Sequence, residues 1–217
     1  MFDYWRQTDI VDIERLKTIH INVIGVGGIG SPTTICLTKM GIKNVSVWDD
    51  DKVEPHNLPN QFYREEDLGK HKVEALNEIC KSFSGTELTV TKERVTEKSP
   101  PFSGIVISGV DSMAARKVIW QILRWCTTVP LYIDARMAAE TMKIISIRPT
   151  DMDDISWFEK NELYDDEAAV QDTCTAQAII YNTFSIASLI TNQIKKFVMN
   201  EQIQREVIMD LKTLMMP

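Results

Sequence analysis

The run His20-Ile21-Asn22-Val23-Ile24-Gly25-Val26-Gly27-Gly28-Ile29-Gly30 constrains this chain more than any other segment. A short apolar, β-branched run ending in glycine is a buried strand. Residues 29–40 then have helical character, and Gly41 suits the left-handed cap that closes a helix. Val45 to Asp49 is a second strand. Strand, glycine turn, helix and strand make a βαβ unit, whose crossover is right-handed. Glycines in such a turn admit close approaches that a Cβ would block. The helix that follows offers unpaired amides and a positive dipole end, where phosphates bind. Asp49 closes the next strand, where an acid hydrogen-bonds a ribose hydroxyl. Gly25, Gly27, Gly28, Gly30 and Asp49 are therefore candidate nucleotide-binding residues. A tight turn of packing glycines would look the same, and an NAD-dependent dehydrogenase fits these features equally well.

The rest of the chain keeps alternating. Helical patterns occur near 9–19, 70–83, 112–126, 156–163 and 175–197. Strand patterns occur at 88–95, 104–110, 130–134, 143–148 and 207–214. Such alternation predicts an α/β fold: a Rossmann-like, mainly parallel sheet with flanking helices and a C-terminal strand and helix extension. A single domain over 1–217 is expected. It divides into an N-terminal arm and helix (1–20), a nucleotide-binding core (20–150), a crossover loop (151–175) and a C-terminal helix and strand (175–217).

Charge narrows the partners. The 217 residues carry 24 Lys and Arg against 31 Asp and Glu, a net charge of -7. That argues against non-specific nucleic-acid binding, which needs a basic face. No run approaches the ~18 apolar residues of a membrane span, so no membrane partner is expected. Cys36, Cys80, Cys126 and Cys174 form no CxxC pair; no zinc site and no disulfide framework are expected. A cytoplasmic, reduced protein is the reading.

After the second strand comes a polar stretch, residues 49–72, that a dehydrogenase does not need. An enzyme transferring a nucleotidyl group does need one. It must hold a triphosphate, stabilise a pentavalent α-phosphorus and release pyrophosphate, which calls for converging amides and cations. Asn57 and Gln61 offer neutral donors, Lys70 and Lys72 offer charge, and Arg64 offers a fork of donors.

Several motifs in order carry a resemblance to a known family. They are Gly25 to Ser31, Asp49-Asp50-Asp51-Lys52-Val53-Glu54, Asn57-Leu58-Pro59-Asn60-Gln61, Gly69-Lys70-His71-Lys72, and Asp111 with Arg116. Over about residues 4–117 the chain resembles the ThiF/MoeB/HesA superfamily, which includes the ubiquitin-activating enzymes. The resemblance implies ATP-dependent adenylation of the C-terminal carboxylate of a small ubiquitin-like or sulfur-carrier protein. It implies that Asp49 takes the ribose, with Asp51 beside it, that Asn57, Gln61 and Lys72 contact phosphates, and that Asp111 holds Mg²⁺. It also implies a homodimer in which an N-terminal arginine, here Arg6, reaches the partner's site. Some relatives carry a cysteine before their last long helix that attacks the acyl-adenylate to give a thioester; Cys174 is the matching candidate, and a helix N-terminus favours its thiolate. Asp111 has a second reading as a helix cap.

Two departures stand out. The family motif has arginine where this chain has Asn60. Losing such a cation costs about 10³ to 10⁵ in rate, roughly 4 to 7 kcal/mol. Arg64 is the expected substitute and Lys70 the next. The zinc-binding cysteine pairs of many relatives are missing as well. Asp134 and Arg136, at a strand end, are expected to line the path of the incoming peptide tail or to form an internal ion pair. Two further readings remain: an NAD(P)-dependent oxidoreductase, and a nucleotide-binding scaffold of weak activity.

Overall fold

Strand β1 (His20–Ile24) lies in the middle of one seven-stranded sheet of order β3-β2-β1-β4-β5-β6-β7. The structure is a computed structural model that describes residues 3–164 and 179–216. β2 (Asn44–Trp48), β3 (Thr89–Thr91), β4 (Ile105–Ser108) and β5 (Tyr132–Ala138) run parallel to β1. β6 (Thr141–Ile147) turns back antiparallel beside β5, and β7 (Glu206–Asp210) is antiparallel to β6. The sheet is thus mainly parallel, as the alternating pattern predicts, with an antiparallel extension at its C-terminal side.

Both faces are covered, so the central strands are apolar on both sides. Alternate residues of β5 divide accordingly: Ile133 and Ala135 pack on one face, Tyr132 on the other. The first face carries α2 (Gly30–Met40), α3 (Lys72–Ser84) and α6 (Ile180–Val198), through Leu37, Leu76, Ile79, Ile186 and Ile190. The opposite face carries α4 (Met113–Leu123) and α5 (Met152–Asn161), through Trp120, Leu123 and Phe158. The short α1 (Ile13–Thr18) contributes Leu16 to the first core.

The glycine turn is built by contact. A Cβ on Gly30 would lie 2.0 Å from the Gly25 carbonyl oxygen, so α2 can begin this close to β1 only with glycine there. Gly41 ends α2 in the left-handed region, φ 111°, as expected of that cap. α2 buries Ser31, Thr33 and Thr34 by turning each hydroxyl back to the carbonyl four residues earlier, which satisfies polar groups inside an apolar layer.

The expected elements are present, with shifted limits. The strand pattern of 88–95 forms sheet only at Thr89–Thr91, because β3 pairs only with Ser46 to Trp48; Glu93 and Arg94 then belong to a loop. The helix expected over 156–163 begins earlier, where Asp151 accepts from the amides of Asp153 and Asp154. The helix expected from 175 is described from Ile180, and Cys174 lies outside the described residues. No helix among the described residues is long and apolar enough to cross a membrane.

Candidate functional site

β1 and β4 are neighbours, and the chain leaves β1 toward β2 but β4 toward β5, which opens a crevice at the carboxyl ends of these two strands. A cavity of about 500 Å³ lies there. Its lining includes Gly25, Gly27 and Gly28 of the turn, Asp49 and Asp51, Asn57, Gln61, Lys72 and Asp111. Residues from five separate sequence motifs therefore share one cavity.

Asp49 organises the crevice. Its carboxylate accepts from the Val26 amide at 2.8 Å and the Asp51 amide at 2.9 Å. Burial pushes the Asp49 carboxyl up, against the opposing pull of Lys72 and those two amides. The segment after β2 is pinned over the glycine turn. Tyr63 Oη donates to the Val26 carbonyl at 2.6 Å, and the Phe62 amide donates to Ser31 Oγ at 3.0 Å. Asn57 is buried, its Oδ1 accepting from the Glu54 amide at 2.9 Å. Gln61 then lies over Gly27, with its Nε2 3.7 Å from where a Cβ would be. Asn60 Oδ1 and Gln61 Oε1 are buried and have no partner within the protein. Both side chains line the cavity, and buried polar atoms of this kind ordinarily find a partner.

Lys72 is the first residue of α3. Its ammonium is buried and bonds Asp51 at 2.8 Å, while its amide bonds the Asp51 carbonyl at 2.9 Å. Asp111 is exposed at the cavity edge. It is not the cap of α4: Ser112 Oγ takes that role, accepting from the Ala115 amide. The Asp111 carboxylate is left facing the cavity, with chemistry suited to a hard cation. The Asp49, Asp50 and Asp51 carboxylates also lie close together, but Lys72 and Arg94 already pair with two of them.

Two expected cations are elsewhere. Arg64 forks onto the fully buried Asp67, with Nε and Nη2 each 2.9 Å from its oxygens. Lys70 bonds Asp67 at 3.2 Å and Glu78 at 2.7 Å. Neither lines the cavity, because the demand of Asp67 for counter-charge holds both away. The guanidinium that does line it is Arg94, in the loop after β3, 3.3 Å from Asp50. The alternating pattern of 88–95 reads as strand throughout and so hides Arg94, which the short β3 leaves in a loop.

Asp134 and Arg136 form an internal ion pair, the second of their two expected readings, and lie within β5. Asp134 is fully buried between Arg116 Nε at 3.0 Å and Arg136 Nη2 at 2.7 Å. Arg136 continues to Glu162 at 3.1 Å, and Glu162 to Lys143 at 2.6 Å. This is an internal ion network outside the cavity lining. It reaches the site indirectly, since Arg116 Nη2 donates to the Val110 carbonyl at 2.5 Å. Arg6 lies in a short 3₁₀ turn, its guanidinium 5.3 Å from the Trp5 ring centroid, and does not line the cavity.

Comparison with known proteins places this geometry. The sequence model of the ThiF family matches residues 4–214. The NEDD8-activating enzyme E1 catalytic subunit of Arabidopsis thaliana is 38% identical over 106 residues, covering 46% of this chain and 23% of that protein. The chain thus spans about a quarter of that relative's length. Among solved structures, PaaA superposes with a TM-score of 0.76 at 18% identity, covering 94% of this chain and 73% of that one. E. coli MccB with ATP superposes with a TM-score of 0.73 at 17% identity, covering 94% and 64%. At such identities the likeness concerns the fold.

Proposed function

Because the chain belongs to the ThiF family, we propose that it is an ATP-dependent adenylyltransferase acting on the C-terminal carboxylate of a small ubiquitin-like or sulfur-carrier protein or peptide. One observation carries this reading: Asn57, Gln61, Lys72 and Asp111 line the same cavity as the glycine turn and Asp49. Relatives described as activating enzymes of ubiquitin-like modifiers, and a fold neighbour described with ATP, support it.

The cavity volume suits a nucleoside triphosphate, and the unpartnered Asn60 Oδ1 and Gln61 Oε1 are acceptors that suit its hydroxyl or amino donors. Asp49 holds the ribose. The turn amides, Asn57, Gln61 and Lys72 hold the phosphates, with Lys72 shared between Asp51 and the ligand. Asp111 would hold Mg²⁺, which would supply charge neutralisation at the phosphates. A carboxylate oxygen of the acceptor attacks the α-phosphorus. The bond to the β-phosphate oxygen breaks, and pyrophosphate leaves with that electron pair. The products are an acyl-adenylate and pyrophosphate. The protein's contribution is positioning and fixed positive charge.

The reading extends to a homodimer in which Arg6 completes the partner's site, to a cytoplasmic setting, and to a second step. In that step the Cys174 thiolate attacks the acyl carbonyl and AMP leaves. A non-reducing gel tests it: a thiol-labile adduct lost in Cys174→Ala supports the step, and an adduct that survives rejects it. The adenylation itself is tested by ATP–pyrophosphate exchange across a panel of ubiquitin-like proteins. Exchange that needs an intact acceptor C-terminus is the expected result. ATP binding without exchange for any acceptor would favour a second reading, a nucleotide-binding scaffold, for which the neutral Asn60 is the supporting observation.

A further inference from the structure

The two ends of the cavity differ in chemistry. At one end stand the polar groups over Gly27 and Gly28, with Gln61 Nε2 3.7 Å from a Gly27 Cβ position and the Asn60 carbonyl 3.4 Å from that of Gly28. At the other end stand Ile24, Val95, Val110 and Ile119, which belong to the core on the α4 and α5 face or pack against it. With the phosphates at the glycine turn and the ribose on Asp49, the base of a nucleotide extends toward the apolar end. A flat ring against an apolar wall leaves its other face to water unless a group covers it.

Arg94 stands at that end. It precedes the buried Val95, and it is the one guanidinium among the described residues lining the cavity. Its Nε lies 3.3 Å from Asp50 Oδ1, its side chain is 71% exposed, and Asp51 and Asp111 are within its electrostatic reach. It therefore sits at the rim, between the ends of β2 and β4, tethered to Asp50 and free on its remaining surface. A planar guanidinium stacks on aromatic faces, where an ammonium acts as a point charge.

We infer that Arg94, held by Asp50, covers the face of the nucleotide base opposite the apolar wall formed by Ile24, Val110 and Ile119. This rests on the nucleotide reading above and adds a base-contacting residue to it. Arg94 thus serves the base, and Lys72 alone among the lining lysines and arginines serves the phosphates.

The test is calorimetric titration of the full chain with adenosine, AMP and Mg-ATP. Arg94→Ala is expected to weaken all three by a similar factor, about 3- to 30-fold. Arg94→Lys, which keeps the charge but not the plane, should recover less than half of that loss. Adenosine binding unchanged in Arg94→Ala overturns the inference, whether ATP binding falls (a phosphate contact) or holds (no contact). Wild-type protein that binds none of the three ligands overturns the nucleotide reading itself, and this inference with it. Because Arg94 is exposed, its variants should melt at the wild-type temperature, so a loss of binding reports contact rather than unfolding.

Discussion

The Lys72 ammonium lies 2.8 Å from the Asp51 carboxylate, which ties the first turn of α3 to the end of β2 across the polar segment between them. The pair brings a buried cation to the cavity and keeps it neutralised there. A triphosphate arriving at the glycine turn can share that cation, because Asp51 is itself half exposed and can turn to solvent.

Lys72→Met should therefore separate activity from stability. ATP–pyrophosphate exchange is expected to fall by about 100-fold or more, the scale of losing one charged donor from a transition-state site. Thermal stability should change by less than about 1 kcal/mol, since the Asp51 left behind is solvated. Exchange assays and scanning calorimetry on one preparation check both.

Arg64→Ala should do the reverse. Arg64 is held by Asp67 outside the cavity, so exchange should stay within about 3-fold of wild type. Stability should fall by about 1–2 kcal/mol as the buried Asp67 loses its fork of donors. A large loss of exchange at unchanged stability would restore Arg64 to the site.

Asp67 also makes a pH prediction. Burial alone would push its carboxyl up, but hydrogen bonds from the Arg64 side chain and amide and from Lys70 outweigh it and hold it below the usual carboxylate range. A depressed folded pKa stabilises above the unfolded value, near 3.9, and that stability is lost as pH falls through the folded value. Asp67→Asn should be destabilised at pH 7, and the gap to wild type should close as pH drops below about 4. Urea midpoints measured from pH 7 to pH 3 check this.

The glycines of the turn should not behave alike. Gly30→Ala drives a Cβ to 2.0 Å from the Gly25 carbonyl oxygen, and a loss of about 3 kcal/mol or outright misfolding is expected. Gly27→Ala meets nothing closer than the Gln61 amide at 3.7 Å. It should fold normally and lose nucleotide affinity, because the methyl group enters the cavity. Melting curves and ATP titrations distinguish the two.

Asp134→Asn removes the one carboxylate between Arg116 and Arg136. Breaking a buried pair this way costs about 3 kcal/mol or more. The midpoint of thermal melting should drop by roughly 6–12 °C at this chain length. Nucleotide affinity of the folded fraction should change less than in Lys72→Met, since Asp134 is outside the cavity lining.

What was legible in the sequence was local. The strand, glycine turn, helix and acid at 20–49 are contiguous, and steric and hydrogen-bonding rules of short range specify them. The polar segment at 49–72 announced itself by its place after β2 and by its residue types. The order of alternating patterns gave away the α/β class. Asp111 had two readings in the sequence, a metal ligand implied by the resemblance and a helix cap, and Ser112 capping α4 removes the second.

What tertiary structure alone decided was which charges meet. Arg64 is close to Asn60 along the chain, yet Asp67 claims it. Arg94 is distant along the chain, yet it reaches the cavity because β3 pairs with β2 for only three residues and then releases its loop. Asp134 and Arg136 lie within β5, where Arg116 and Glu162 draw them into an interior network. Helix and strand follow from neighbours in sequence, whereas an ion's partner depends on which oppositely charged groups the packed chain brings within a few ångströms. That is a property of the whole fold, and no short stretch of sequence contains it.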